Sequence, residues 1–261
     1  MKEEIIDGIN YRLDEKTFTA EVIKKKGYEG DIIIPETVVL KKVAYRVTSI
    51  GESAFDCCFS LTSIVIPDSV TSIGPTAFSS CSSLTSMVIP DSVTSIGEKA
   101  FEFCTSLTSI VIPDSVTSIG AWAFRYCTSL TSIVIPDSVT SIGEKAFDCC
   151  FSLTSIVIPN SITSIRKGAF ESCRNLTSIT IPDSVTSIGE KAFEFCSSLI
   201  SIVIPASVMS VEWWAFCGCK SLTDITFQGT IAQWKKITLR DSWKHNIPAT
   251  VVHCTDGDVE I

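Results

Sequence analysis

The sequence predicts an α/β solenoid built around a parallel β-sheet, and three observations support this prediction. A segment that begins at Leu61 returns every 23 residues along most of the chain. Each copy opens with alternating apolar residues, the pattern of a strand that buries one face. Each copy then carries a proline and, further on, a glycine or another corner residue. A fixed period of roughly 20 to 50 residues is typical of solenoids, whose units stack only on their neighbours.

The copies divide the chain into three predicted parts. Residues 31–221 form the solenoid, and residues 31–60 are an early copy with extra residues around Val39 to Arg46. A capping hairpin is expected at 1–30 and a C-terminal cap at 222–261, where the last copy diverges. The regular copies begin at Leu61, Leu84, Leu107, Leu130, Leu153, Leu176 and Leu199.

The elements of one copy follow from its residues in order. Leu61, Ile64 and Ile66 match the L-x-x-L-x-L pattern of a leucine-rich repeat and are expected to point inward from a strand. Pro67 ends that strand because proline has no N–H to donate. Val70 and Ile73 predict a second, shorter extended segment.

The remainder of the copy is predicted to be helical. Ala77, Phe78 and Cys81 have the spacing of one or two helical turns with an apolar inner side. The predicted fold is therefore a leucine-rich-repeat solenoid with a parallel β-sheet, short convex helical turns and capping hairpins at both ends.

The ends of the solenoid are predicted to be covered, since one coil alone buries too little apolar surface to offset its ordering. Ile5 to Leu13 and Phe18 to Ile23 predict an N-terminal hairpin. At the other end, Thr230 to Ile237 predicts a helix, and Val251 to Ile261 a hairpin around Asp256-Gly257.

Charge and hydrophobicity argue against a nucleic-acid partner and against a transmembrane helix. The formal net charge is −8, and the one basic run is Lys24-Lys25-Lys26, so a nucleic-acid partner is not expected. No stretch approaches the roughly 20 apolar residues of a transmembrane helix.

The first residues, Met1 to Asp7, lack a secretory signal pattern, so either the protein stays in the cytoplasm or a leader has been removed.

The repeat resembles the BspA-like leucine-rich repeat family, whose unit is similar to L-T-S-I-x-I-P-x-S-V-T-S-I-G-x-x-A-F-x-x-C-x-S. The similarity runs from Leu61 to Ser221 and extends to the flanks Tyr28 to Pro35 and Phe227 to Trp234. The resemblance implies a secreted or cell-surface protein that takes part in adhesion to host proteins or other cells. It implies no shared catalytic residues and no cofactor.

Cysteine is the first candidate for chemistry, because the chain has 12. We expect the repeated cysteines to be small core residues with reduced thiols, since equivalent positions in successive coils point in parallel. Zinc spacing is absent. The repeated cysteines are Cys58, Cys81, Cys104, Cys127, Cys150, Cys173, Cys196 and Cys219.

The C-terminal histidines and the repeated aspartates each allow a functional and a structural interpretation. His245 and His253 lie near Cys254, Asp256 and Asp258 in the sequence, which would suit a hydrolase or metal site in the C-terminal cap; we expect a polar surface. A repeated aspartate follows each strand, and it either organises its own turn or contributes to a calcium site. We expect the first role for Asp68, Asp91, Asp114, Asp137 and Asp183, a column in which Asn160 and Ala206 are the exceptions.

The outward residues of the strands are the first predicted binding surface. An apolar row beside hydroxyl groups suits protein contact. An ice-binding or purely structural repeat protein is the alternative that the threonine rows raise. The predicted residues are Val65, Val88, Val111, Val134 and Val157, with Thr108, Thr131 and Thr154.

Aromatic and arginine residues that do not repeat are the second predicted binding surface. Such residues are enriched in interface hot spots, although they would equally serve to cover the core. They are Trp122, Arg125, Tyr126, Trp213 and Trp214. From the sequence we thus expect a non-enzymatic scaffold that binds a protein ligand, with no metal and no cofactor.

Overall fold

The structure, a computed structural model, describes residues 1–25 and 27–261. Lys26, the last residue of the basic run, lies outside the described residues. The first strands are β1 (Lys2–Ile6), β2 (Ile9–Asp14), β3 (Thr19–Val22), β4 (Glu29–Ile33), β5 (Thr37–Leu40) and β6 (Val43–Ile50). β1 pairs antiparallel with β2, β2 pairs antiparallel with β3, and β3 pairs parallel with β6.

The repeats form longer strands of three to six residues that alternate with two-residue strands. The regular coils contain β7 (Ser60–Val65), β8 (Ser72–Ile73), β9 (Ser86–Val88), β10 (Ser95–Ile96), β11 (Ser109–Val111), β12 (Ser118–Ile119), β13 (Ser132–Val134), β14 (Ser141–Ile142), β15 (Ser155–Val157), β16 (Ser164–Ile165), β17 (Ser178–Thr180), β18 (Ser187–Ile188), β19 (Ser201–Ile204) and β20 (Ser210–Val211). The remaining elements are β21 (Asp224–Phe227), α1 (Ile231–Trp234), β22 (Thr238–Leu239), β23 (Val251–Cys254) and β24 (Gly257–Glu260).

The coils stack in register as parallel strands. Ile110 pairs with Met87, and Ile133 pairs with Ile156, so equivalent inward residues lie over one another. The longer strands make one sheet from β9 to β23, with β24 added antiparallel. The two-residue strands make a second ladder, which is interrupted between β14 and β16. The chain is therefore a solenoid of stacked parallel strands, as the period predicts.

The prediction of helical turns on the convex side is wrong. In that segment Lys99, Phe101 and Phe103 donate their backbone N–H groups to the next coil, at 2.8–2.9 Å. The alternate residues Ala100 and Glu102 donate to the carbonyl three residues back. Lys99 and Phe103 also have positive φ, of 56° and 61°, which a right-handed helix does not allow. Because every second donor is used between coils, the segment forms stacked turns.

The core is a set of identical residue columns. Phe rings of successive coils stack nearly parallel, with centroids 5.2–5.6 Å apart from Phe55 to Phe216. The cysteine beside each ring is buried, as the sequence predicts. Each of these thiols from Cys81 onward donates to the carbonyl of a Phe in the preceding coil; Cys127 Sγ lies 3.2 Å from Phe101 O. Each thiol thus adds a second donor to a carbonyl that already accepts a backbone N–H in its own turn.

The two end segments and the extra residues of the early copy differ in detail from the sequence prediction. The N-terminal segment has three antiparallel strands rather than one hairpin, because the chain also turns at Asp7-Gly8, where both residues have positive φ. The extra residues around Val39 to Arg46 form an antiparallel β5–β6 hairpin. The helix predicted for Thr230 to Ile237 extends only from Ile231 to Trp234, capped by Thr230 and Gln233.

Candidate functional site: the sheet face and the turn face

The outward side of the long strands, here called the sheet face, carries an exposed row of valines. Val88, Val111, Val134 and Val157 pair in register across β9 to β15 and are 61–79% exposed. The row continues through Thr180 to Val203, and Val65 is similarly exposed in β7. The alternation of strand residues places these side chains in solvent because their neighbours fill the core. The structure therefore brings the predicted valines together on one surface.

The predicted threonines lie at the beginning of the same strands, and their hydroxyl groups are engaged within the chain. Thr108 Oγ1 lies 3.0 Å from Thr85 O, and Thr131 Oγ1 and Thr154 Oγ1 are each 3.4 Å from the preceding threonine carbonyl. A hydroxyl has one donor and two acceptor positions. The threonines are exposed, but in this arrangement they present acceptors rather than free donors to a ligand or to ice.

A row of aspartates forms the other border of the valine row. Asp91, Asp114 and Asp137 each lie three residues after a valine and are exposed. The serine after each of these aspartates donates its hydroxyl to a backbone carbonyl of the preceding coil; Ser115 Oγ, for example, lies 2.6 Å from Val93 O. Within the described ranges, no group of three or more His, Cys, Asp or Glu residues has the arrangement of a metal site. The sheet face thus carries three parallel rows of side chains: threonine hydroxyls, valines and aspartate carboxylates.

The non-repeated residues of one coil are occupied by contacts on the turn face, the stacked turn segments defined above. The Trp122 ring lies under Lys99 Nζ at 4.9 Å, and Tyr126 stacks on Phe103 at 4.8 Å. Arg125 links two buried carboxylates, with Nε 2.9 Å from Asp148 Oδ2 and Nη1 3.3 Å from Glu102 Oε1. Arg125 therefore pairs charges across three coils, which sequence reasoning missed because it needs the stacking register.

Trp213 and Trp214 belong to a different coil and do not join this group. They are 41% and 39% exposed and lie under Arg240 and Lys191, respectively. Four coils separate them from Trp122, or about 20 Å at the spacing of adjacent strands. The predicted aromatic residues thus form two patches on the turn face rather than one.

The two histidines are also placed apart. His245 lies in a turn segment, where its backbone carbonyl accepts the Gly218 N–H. His253 lies on the sheet face in β23. His253 Nδ1 is 2.9 Å from Asp258 Oδ1, and this hydrogen bond raises the pKa of the histidine. A depression of 620 Å³ beside His253 is lined by Asp183, Ala206 and Gln228, among others. The structure thus does not bring the two histidines together in one site.

These features define a class of protein: a leucine-rich-repeat solenoid with a long, regular, exposed sheet face. Comparison with family models matches the BspA type leucine-rich repeat region, in six copies, over residues 48–173 and 117–246. The chain belongs to this family of BspA-type leucine-rich repeat proteins. None of the described helices is long and apolar enough to cross a membrane.

Solved structures agree with this assignment. A leucine-rich repeat protein from Bacteroides ovatus is 31% identical, with a TM-score of 0.76 over 97% of this chain and 71% of that one. The leucine-rich repeat protein of T. pallidum is 29% identical, with a TM-score of 0.66 over 85% of this chain and 92% of that one. The pneumococcal vaccine antigen PcpA, 16% identical with a TM-score of 0.59 over 97% of this chain and 81% of that one, shares the fold. Among curated proteins, none matches.

Proposed function

We propose that this chain is a non-enzymatic protein-recognition scaffold and that its sheet face is the contact surface. Leucine-rich-repeat proteins generally bind proteins. The observation that carries the proposal is the row of exposed valines on successive strands, because monomeric proteins rarely expose long apolar rows without a partner. The stacked coils hold the row rigidly, so little ordering entropy is lost on binding.

The position of a photo-cross-linker tests the proposal. A benzophenone side chain at Val134 is expected to give adducts with a partner in extracts of cells that express the chain. The same group at Glu98, exposed on the turn face, is the matched control. Adducts from Val134 alone support the sheet face as the contact surface. Identical adducts from both positions, or none from Val134, would refute it.

A second contact surface is proposed at Trp213 and Trp214. Both rings are substantially exposed, and aromatic residues contribute strongly to protein interfaces. Trp122, Arg125 and Tyr126 are proposed to contribute less, because contacts within the chain already occupy them.

We further propose that the protein acts in adhesion at the cell surface, where its ligand is a host or neighbouring-cell protein. Membership of the BspA-type family supports this proposal. Protease treatment of intact cells is the test. Cleavage of the chain while cytoplasmic proteins stay intact supports the surface location, and full protection contradicts it.

The end segments are proposed to act as caps. Residues 1–30 place Tyr28 on the first core ring, Phe55, with centroids 4.7 Å apart. In residues 222–261, Trp243 packs edge-on against the last repeated ring, Phe216, at 6.1 Å. Such contacts cover apolar surface that a terminal coil would otherwise expose.

A further inference from the structure

From Val88 to Val134, the valine row of the sheet face has a row of carboxylates along one side and hydroxyl groups along the other. Asp91, Asp114 and Asp137 are exposed, and none of them takes part in an ion pair within the described part of the chain. On the turn face, by contrast, the buried carboxylates Glu102 and Asp148 are paired with Arg125. A row of unpaired carboxylates therefore lies beside the exposed apolar row.

The spacing of the valines along the solenoid axis matches a helical partner better than an extended one. Three strand intervals from Val88 to Val157 span about 14 Å at the usual separation of paired strands. Three turns of an α-helix advance about 16 Å. Three two-residue steps of an extended chain advance about 20 Å. A helix laid along the row thus keeps one side chain near each valine, and an extended chain loses the match.

The width of the surface also suits a helix. An aspartate three residues beyond a valine lies within about 10 Å of it, the length of three extended residues. A helix with its side chains is about 10–12 Å across, so one flank reaches the carboxylates while its apolar stripe covers the valines. A second copy of this chain fits poorly, because it carries a net charge of −8 and its own row of aspartates.

We propose that the sheet face binds a basic amphipathic α-helix of a partner protein, aligned with the solenoid axis. Its apolar stripe packs on the valine row, and its Lys or Arg flank lies over the aspartate row. This inference rests on the proposed function, and it adds the partner's chemistry and orientation. The carboxylates contribute mainly to specificity and association rate, and the valines to the lifetime of the complex.

A set of synthetic peptides tests the partner's chemistry. The probe is a helix of about five turns, or roughly 18 residues, with a leucine stripe and lysines along one flank. One control peptide has glutamate in place of each lysine, and another has the same composition in a shuffled, non-amphipathic order. Fluorescence anisotropy is expected to show the probe binding at least about tenfold more tightly than either control. Equal binding of the lysine and glutamate peptides overturns the proposal.

Variants of the chain test the two rows separately, using residues that already occur in them. Asn160 occupies the aspartate row and Thr180 the valine row, so both replacements suit the fold. The first variant combines D91N, D114N and D137N, and the second combines V111T, V134T and V157T. Each is expected to weaken probe binding by about tenfold or more, and the first also to flatten its salt dependence.

The matched charge control carries E52Q, E98Q and E144Q, which remove the same charge from exposed positions outside the sheet face. It is expected to bind the probe nearly as the unmodified chain does. If this control weakens binding as much as the aspartate variant, attraction to net charge explains the result and the proposal fails. A sheet face that cross-links a partner through Val134 but binds no lysine probe overturns this inference and leaves the proposed function intact.

Discussion

At the residue scale, two phenylalanines in one coil have opposite environments. Phe193 is fully buried and stacks on Phe170 and Phe216, whereas Phe195 is 48% exposed and has a φ of 60°. The backbone N–H groups of both residues donate to the next coil, so the two rings differ in the direction of their side chains and not in backbone pairing.

Removing each ring should therefore have a different cost. F193A is expected to lower the free energy of unfolding by about 3–5 kcal/mol, through lost burial and the cavity that remains. F195A is expected to cost less than about 1 kcal/mol, because its ring is half in solvent. The midpoints of urea unfolding measure both changes. Equal losses would mean that the stacked rings are not the centre of the core.

At the element scale, one corner residue decides how closely the coils approach. A Cβ placed on Gly143 would lie 2.3 Å from the backbone nitrogen of Ala121, so this corner has no room for a side chain. Arg166 occupies the equivalent position one coil later. The ladder of two-residue strands is interrupted there, between β14 and β16. Ile162, which replaces the valine of the other regular coils, adds a methylene group to the same coil. The gap coincides with bulk at both positions of one coil, whereas Glu212 alone, at the same corner two coils later, leaves β18 and β20 paired.

Substitutions at the two corners are expected to act in opposite directions. G143A should destabilise the chain by about 1–3 kcal/mol, because backbone atoms of two coils must separate. R166G should stabilise it or leave it unchanged, since the coils can then approach and pair. Thermal unfolding, with hydrogen exchange at residues 162–166, measures both effects. Destabilisation by R166G would show that the arginine side chain contributes more than the missing strand pair.

At the scale of the whole molecule, the cysteine column links stability to pH. Burial raises the pKa of Cys104 and of Cys219 to about 12, and it raises the pKa of Cys127, Cys150 and Cys173 well above the ordinary value. Burial raises the pKa of Tyr11 and Tyr28 as well. The folded chain therefore holds protons that the unfolded chain releases at alkaline pH.

Stability is expected to fall at alkaline pH for this reason. An unfolded thiol titrates near pH 8.5. The contribution of a buried thiol is therefore complete below about pH 8.5 and is lost as the pH rises towards about 12. Urea midpoints across this range should fall steadily. The double variant C104A and C127A should show a shallower fall, which separates the thiols from the buried tyrosines. An unchanged slope in that variant would exclude the cysteines as the cause.

The sequence by itself determined the repeat, the stacking of coils in register and the residues that point inward and outward on the strands. These follow from a fixed period and from the two-residue alternation of a strand, both of which are local properties. The valine row was predictable for the same reason.

Only the tertiary structure decided which polar groups meet across coils. The turn segments have helical spacing at Ala77, Phe78 and Cys81, but donors shared with the next coil make them turns. The bonds from threonine hydroxyls to carbonyls, the charge pairs of Arg125 and the separation of His245 from His253 also depend on residues a whole coil or more away. A pattern within one repeat contains no information about such partners, because the energy of these contacts exists only once the coils are stacked.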